Sequence, residues 1–110
     1  MKKLLFAGGL LLAALLAAAQ GWRVVYLGAD LPAAEIALAV RLTNARVLVL
    51  CLSTARAGID RELVAISNLL SGSTRIWIGG AEATRHRQLI ERANWTLVRD
   101  LEDLDDRLRR

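Results

Sequence analysis

The sequence carries one cysteine, one proline and one histidine in 110 residues, and each scarcity closes off a class of protein. A lone Cys51 forms no internal disulfide, which excludes the stapled secreted scaffolds and suits a reducing, cytoplasmic compartment. The single histidine, His86, lies between Arg85 and Arg87 with no cysteine, aspartate or second histidine at ligand spacing. No metal site is expected there, and His86 reads as a solvated helix residue. With eight glycines, one proline and no internal repeat, the chain is neither low-complexity, disordered nor a solenoid. The apolar run over 4–19 falls short of the ~18 residues of a membrane span, so no membrane partner is expected. Charge is also sparse in pattern: 13 Arg and 2 Lys stand against 11 acidic residues for a net +4, and the arginines are scattered from Arg23 to Arg110. Without a dense basic block, no direct nucleic-acid partner is expected.

What is present is apolar: 55% of the chain is hydrophobic, enough to bury one core and form one domain over residues 1–110. The amino terminus reads two ways. Lys2 and Lys3, the uncharged stretch 4–19 and the small residues Ala17, Ala18 and Ala19 imitate a secretory signal peptide. The alternative is a first strand at 3–6, a turn at Gly8-Gly9 and a buried helix over 10–20. Residues 22–27 then form a β-branched and aromatic strand, which in a parallel sheet needs a preceding strand and helix. Asp30 and Pro32 start a helix over 33–43, with Ala33, Ile36, Ala37 and Val40 on one face. Residues 47–52 are apolar throughout, as a central parallel strand must be. A helix over 59–70, a strand at 75–78, a helix over 83–93, a strand at 95–98 and a helix over 101–108 complete five strand-helix units. They predict an α/β fold, a doubly wound open parallel sheet of the Rossmann-like or flavodoxin-like kind.

Ligands of such sheets sit beyond the carboxyl ends of the strands. Gly79-Gly80 falls there, where a missing Cβ allows a close approach, either of a ligand or of the chain itself in a turn needing positive φ. Gly8-Gly9 lacks both the third glycine of G-x-G-x-x-G and the lysine of a P-loop, so neither nucleotide fingerprint applies. Ser53 and Thr54 can donate hydrogen bonds to a ligand or to their own loop. Cys51 reads as a small hydrophobe rather than a nucleophile. The acidic cluster Glu102, Asp103, Asp105 and Asp106 reads as a solvated face complemented by Arg107, Arg109 and Arg110. No triad or carboxylate pair assembles, and no enzymatic activity is expected of the chain alone.

Three segments together resemble the cobalamin-binding domain, as found in stand-alone modules and MerR-type transcription regulators. They are Gly9-Leu-Leu-Leu-Ala-Ala-Leu-Leu, Gly21-Trp-Arg-Val-Val-Tyr-Leu-Gly-Ala-Asp-Leu-Pro32 and Ile76-Trp-Ile-Gly-Gly-Ala-Glu82. The resemblance implies a corrinoid cofactor, a D/E-x-H-x-x-G loop whose histidine ligates cobalt, a Ser-x-Leu-like element after the central strand and a Gly-Gly pair bordering the nucleotide tail. Gly9 matches the glycine of the first motif, while Phe6 stands at the histidine and Leu4 at the acidic position. Ser53 matches the serine of the second, with Ala55 in place of leucine, and Gly79-Gly80 matches the third. The implied cofactor-binding residues are Gly9, Ser53, Thr54, Gly79 and Gly80, with no histidine on cobalt. The regulators' helix-turn-helix domain and the helical bundle that covers cobalamin are absent from this sequence. The expected role is a ligand-binding or regulatory module that serves a partner domain. The alternatives are an interaction domain that dimerises through its Ala/Leu-rich first helix and a small exported α/β protein.

Overall fold

The computed structural model describes residues 2–7, 11–27, 31–52, 57–70, 72 and 74–109. Its five strands are β1 (Lys3–Ala7), β2 (Arg23–Tyr26), β3 (Val47–Cys51), β4 (Arg75–Gly79) and β5 (Thr96–Leu97). They form one parallel sheet in the order β2-β1-β3-β4-β5. The helices are α1 (Leu11–Ala19), α2 (Ala33–Thr43), α3 (Ile59–Leu69), α4 (Arg87–Arg92) and α5 (Leu101–Arg109), with a 3-10 turn at Ala83–His86. This is the expected doubly wound architecture, in its flavodoxin-like strand order.

Period-two alternation sorts the strand residues between two apolar layers. Leu5, Leu48, Leu50, Ile76 and Ile78 face one layer, with Ile36 and Val40 of α2, Leu63 and Ile66 of α3 and Ile90 of α4. Leu4, Phe6, Val47, Val49 and Trp77 face the other, with Ala13, Ala14 and Ala17 of α1 and Leu104 and Leu108 of α5. Burying each of the large side chains contributes about 1.5–3 kcal/mol, which is why strands with both faces covered read as unbroken apolar runs. The alanine stripe lets α1 lie close on the sheet, and Trp22 closes the bottom of this layer. The Trp22 indole N–H donates to the Leu108 carbonyl at 2.9 Å, and its ring meets Trp77 edge-on at 6.4 Å.

β1 lies between β2 and β3, so residues 3–19 supply a central strand and a covering helix of the domain. No helix among the described residues is long and apolar enough to cross a membrane. The expected single helix over 83–93 is divided: its first turn is 3-10, and α4 proper begins at Arg87.

Two surface expectations are corrected. His86 is half-buried, with a side chain 13% exposed that pairs through Nδ1 with Asp60 at the start of α3. Asp103, expected on a solvated face, is 8% exposed. Asp100 caps α5 by accepting from the Asp103 backbone N–H at 2.8 Å, and the Asp103 carboxylate accepts from the Arg99 N–H at 3.0 Å. Helix periodicity alone does not distinguish an acidic residue that faces water from one that folds back to close its own helix start. Asp105 likewise accepts from Gln20 Nε2 at 2.7 Å, tying α5 to the end of α1.

Candidate functional site

In this strand order the direction of winding reverses between β1 and β3, so the ligand crevice belongs at the carboxyl ends of the strands. Gly9, Ser53 and Thr54, expected from the sequence to border such a crevice, lie outside the described residues. Gly79 and Gly80 are described, and the structure brings them together with residues the sequence did not single out.

β4 ends by folding back over β3. The Leu52 N–H donates to the Gly79 carbonyl at 2.7 Å, and the Leu52 carbonyl accepts from the Glu82 N–H at 2.9 Å. Gly80 turns this corner at φ +103, and a Cβ there would stand 2.3 Å from the Leu52 carbonyl oxygen. Only glycine is compatible with that position. A Cβ on Gly79 would lie 3.1 Å from the Val98 carbonyl oxygen, so this glycine sets how closely the chain leaving β5 approaches β4. Gly80 is therefore required by the chain's own packing, and Gly79 stands at a tight approach, whatever else they border.

Beside them opens a cavity of about 250 Å³ between the sheet and the α1/α5 layer. Val49, Cys51 and Val98 line it from the strands, Ala13 from α1, Leu101 and Leu104 from α5, and Arg99 and Asp100 at the rim. Ala13 is the small residue that α1 turns toward this space, and Gly79 and Gly80 border it from the end of β4. It has the character of a ligand site, with apolar walls and few polar groups. Burial raises the Cys51 thiol above its ordinary value, so the sulfur stays protonated at neutral pH and serves as apolar lining. The signals that could have located this cavity are the small residues on the inward face of α1 and the alternation of β3, which sends Val49 and Cys51 to the same side. Arg99 and Asp100 were not singled out, because a charged pair between a strand and a helix carries no ligand signal of its own.

Burial opposes ionisation of Asp103 near this rim, but the Arg99 backbone N–H and the Arg107 and Arg99 guanidiniums outweigh it and hold the carboxyl below its usual range. Arg107 Nε lies 3.2 Å and Arg99 Nε 3.6 Å from its oxygens. Among the described residues, no group of three or more His, Cys, Asp or Glu could hold a metal ion.

A doubly wound domain with an apolar cavity at the carboxyl ends of its strands has the form in which α/β domains seat small ligands. The comparisons with known proteins make this specific: the B12 binding domain matches residues 7–102, and the chain belongs to that family. Among solved structures, the Methanosarcina barkeri monomethylamine corrinoid protein superposes with a TM-score of 0.70 over 97% of this chain at 15% identity. The chain spans 57% of that neighbour's length, and at this identity the likeness is one of fold. No curated protein sequence matches the chain.

Two observations test the fit of the family's group. The cavity, apolar and bordered by Gly79 and Gly80, suits a flat bicyclic base such as that of a corrinoid nucleotide tail. The Phe6 position does not suit a cobalt ligand. Phe6 is 1% exposed inside β1, paired with Tyr26 on one side and Val49 on the other, and packed in the α1/α5 layer. Phe6 therefore offers no ligand to a metal, and it precedes the residues that the family model matches.

Proposed function

We propose that this domain is a ligand-binding or regulatory module that holds a corrinoid by its nucleotide tail, without a histidine on cobalt, and acts by binding rather than catalysis. The observation that carries this reading is the small-residue cavity beside Gly79-Gly80 in a B12-binding-family domain whose Phe6 is locked in the core. The base of the tail would rest against Val49, Val98 and Leu104, with Arg99 and Asp100 at the mouth. Ser53 and Thr54 are proposed to bond the tail from the β3 loop, and Gly9 to border it from the loop after β1. When bound, the corrinoid would supply a redox-active centre. The protein's part is to seat it and to present it to a partner domain of regulatory kind. The unpaired Cys51 suits a cytoplasmic setting. Intact mass of the chain recovered from its native cell tests this, since a product that has lost residues 1–20 would support the exported alternative.

The test of binding is a titration with hydroxocobalamin read through Cys51, the one thiol of the chain and a lining residue of the cavity. A seated tail covers the thiol, so its alkylation slows by about tenfold or more at saturating corrinoid. An unchanged alkylation rate at high micromolar corrinoid would contradict the reading.

A second reading rests on α1. Leu12 and Leu15 point outward at 57% and 58% exposure on a helix with no charged residue. This face favours self-association. Light scattering on a size-exclusion column distinguishes the two, because a dimer lost on Leu12→Gln/Leu15→Gln supports it and a clean monomer removes it.

A further inference from the structure

The opposite edge of the sheet is built in the reverse manner, from cations. Lys2 leads into β1, Arg46 into β3, Arg75 opens β4, and Arg107 lies near the end of α5. The Arg46 N–H donates to the Lys3 carbonyl and the Arg75 N–H to the Arg46 carbonyl, each at 3.0 Å, so the ladder sets the three strand starts side by side. Neighbouring strands lie about 4.8 Å apart, which makes this row roughly 10 Å long. All four cations line one groove of about 620 Å³, with Thr96 and the walls of Trp22 and Trp77.

Little compensates this charge. Among the described residues, Lys2, Arg46 and Arg75 are in ion-pair contact with no carboxylate. The Lys2 ammonium sits 5.4 Å from the centroid of the Trp22 ring. Arg107 Nε is 3.2 Å from the Asp103 carboxylate, but its N–H does not point at the oxygen, and this buried donor has no hydrogen-bond acceptor. Gathering like charges in a concave site raises the local positive potential and opposes folding unless an anion occupies it.

We propose that this groove binds an oligophosphate group, carried either by inorganic polyphosphate or by a nucleotide. Guanidinium forks pair bidentately with phosphate oxygens, and Thr96 adds a hydroxyl donor. Three linked phosphoryl groups extend over a length comparable to the row of cations. The groove's concavity and its indole walls suit a small molecule better than the broad basic stripe that a nucleic-acid backbone follows. This site lies at the other end of the sheet from the cavity and does not depend on corrinoid binding.

The experiment is thermal unfolding of the full chain in tripolyphosphate against potassium chloride of equal ionic strength, paired with calorimetric titration. At ten times its Kd, tripolyphosphate is expected to raise Tm by about 5 °C over chloride. Arg46→Ala/Arg75→Ala, both at exposed positions, is expected to weaken binding by about tenfold or more while folding normally. ATP binding within about threefold of tripolyphosphate supports an inorganic chain, and ATP tighter by about tenfold supports a nucleotide. No shift beyond that of chloride, or a full shift in the double variant, overturns the proposal. A single-stranded oligonucleotide binding more tightly than either through the same arginines also overturns it, in favour of nucleic acid.

Discussion

The two ends of this sheet are built on opposite principles. At the carboxyl end, Ala13, Gly79 and Gly80 border a cavity whose walls are mostly apolar. At the amino end, Lys2, Arg46, Arg75 and Arg107 line a groove with charge. The difference follows from what each end can spare. The carboxyl end spends its backbone groups on closing the β3–β4 corner, where the Leu52 carbonyl accepts from Glu82 and the Leu52 N–H donates to Gly79. What remains there for a ligand is shape. The amino end only starts strands, so its side chains are free to carry charge into solvent. A doubly wound sheet thus offers a shaped site and an electrostatic site that can be altered separately.

That separation can be attacked from its most to its least sensitive point. Phe6→Ala should cost about 3–5 kcal/mol in chemical denaturation, because it empties the centre of the α1/α5 layer. Phe6→His places a polar ring at the same buried position, so it should also lower stability by several kcal/mol and should add no nitrogen ligand to cobalt in the absorption spectrum. A stable Phe6→His chain with a histidine-ligated corrinoid would mean that β1 does not hold this residue in the core. Gly80→Ala should cost about 2–3 kcal/mol, because φ +103 and the contact with the Leu52 carbonyl both exclude a Cβ. A near-neutral result would show that the β3–β4 corner is looser than described.

Asp103→Asn should cost about 1–2 kcal/mol by weakening the closure of the α5 start. Its pH dependence has a definite sign. The Asp103 carboxyl is held below its usual range in the folded state. Its contribution is therefore complete above the unfolded value of about 3.9 and is lost as the pH falls through the lower folded value. Denaturation midpoints measured from neutral pH down into that acid range should fall less steeply for the Asn variant than for the parent chain. The smallest effect belongs to the amino end, where Arg46→Ala/Arg75→Ala should change stability in plain buffer by no more than about 0.5 kcal/mol. A large loss there would tie the cationic row to folding rather than to a ligand.

The strands and their winding were legible in the sequence because parallel strands buried on both faces read as apolar runs, as residues 47–52 do. Pro32 and the i, i+3, i+4 pattern of Ala33, Ile36 and Ala37 likewise place α2 where it is found. The site was legible only in part. Gly79-Gly80 announces a close approach, but the sequence does not say that the Leu52 backbone and Val98 are what approach. The cavity is a property of five segments, since Ala13, Cys51, Gly79, Val98 and Leu104 meet only after the sheet closes. Asp103 and His86 were read as surface because their partners, the Arg99 backbone before α5 and Asp60 on α3, are supplied by tertiary and loop geometry that periodicity within one helix does not encode. Scattered arginines did not predict a basic groove, because strand starts distant in sequence become neighbours in a parallel sheet.

The most direct test of the central claim is the retention of hydroxocobalamin through a desalting column by the parent chain and by Ala13→Leu, with the visible spectrum of the eluted complex. The account predicts that the parent chain retains a corrinoid whose cobalt has lost its benzimidazole ligand, and that Ala13→Leu, which fills the cavity, retains none. No retention by the parent chain at high micromolar protein, or retention with the benzimidazole still on cobalt and unaffected by Ala13→Leu, would contradict it.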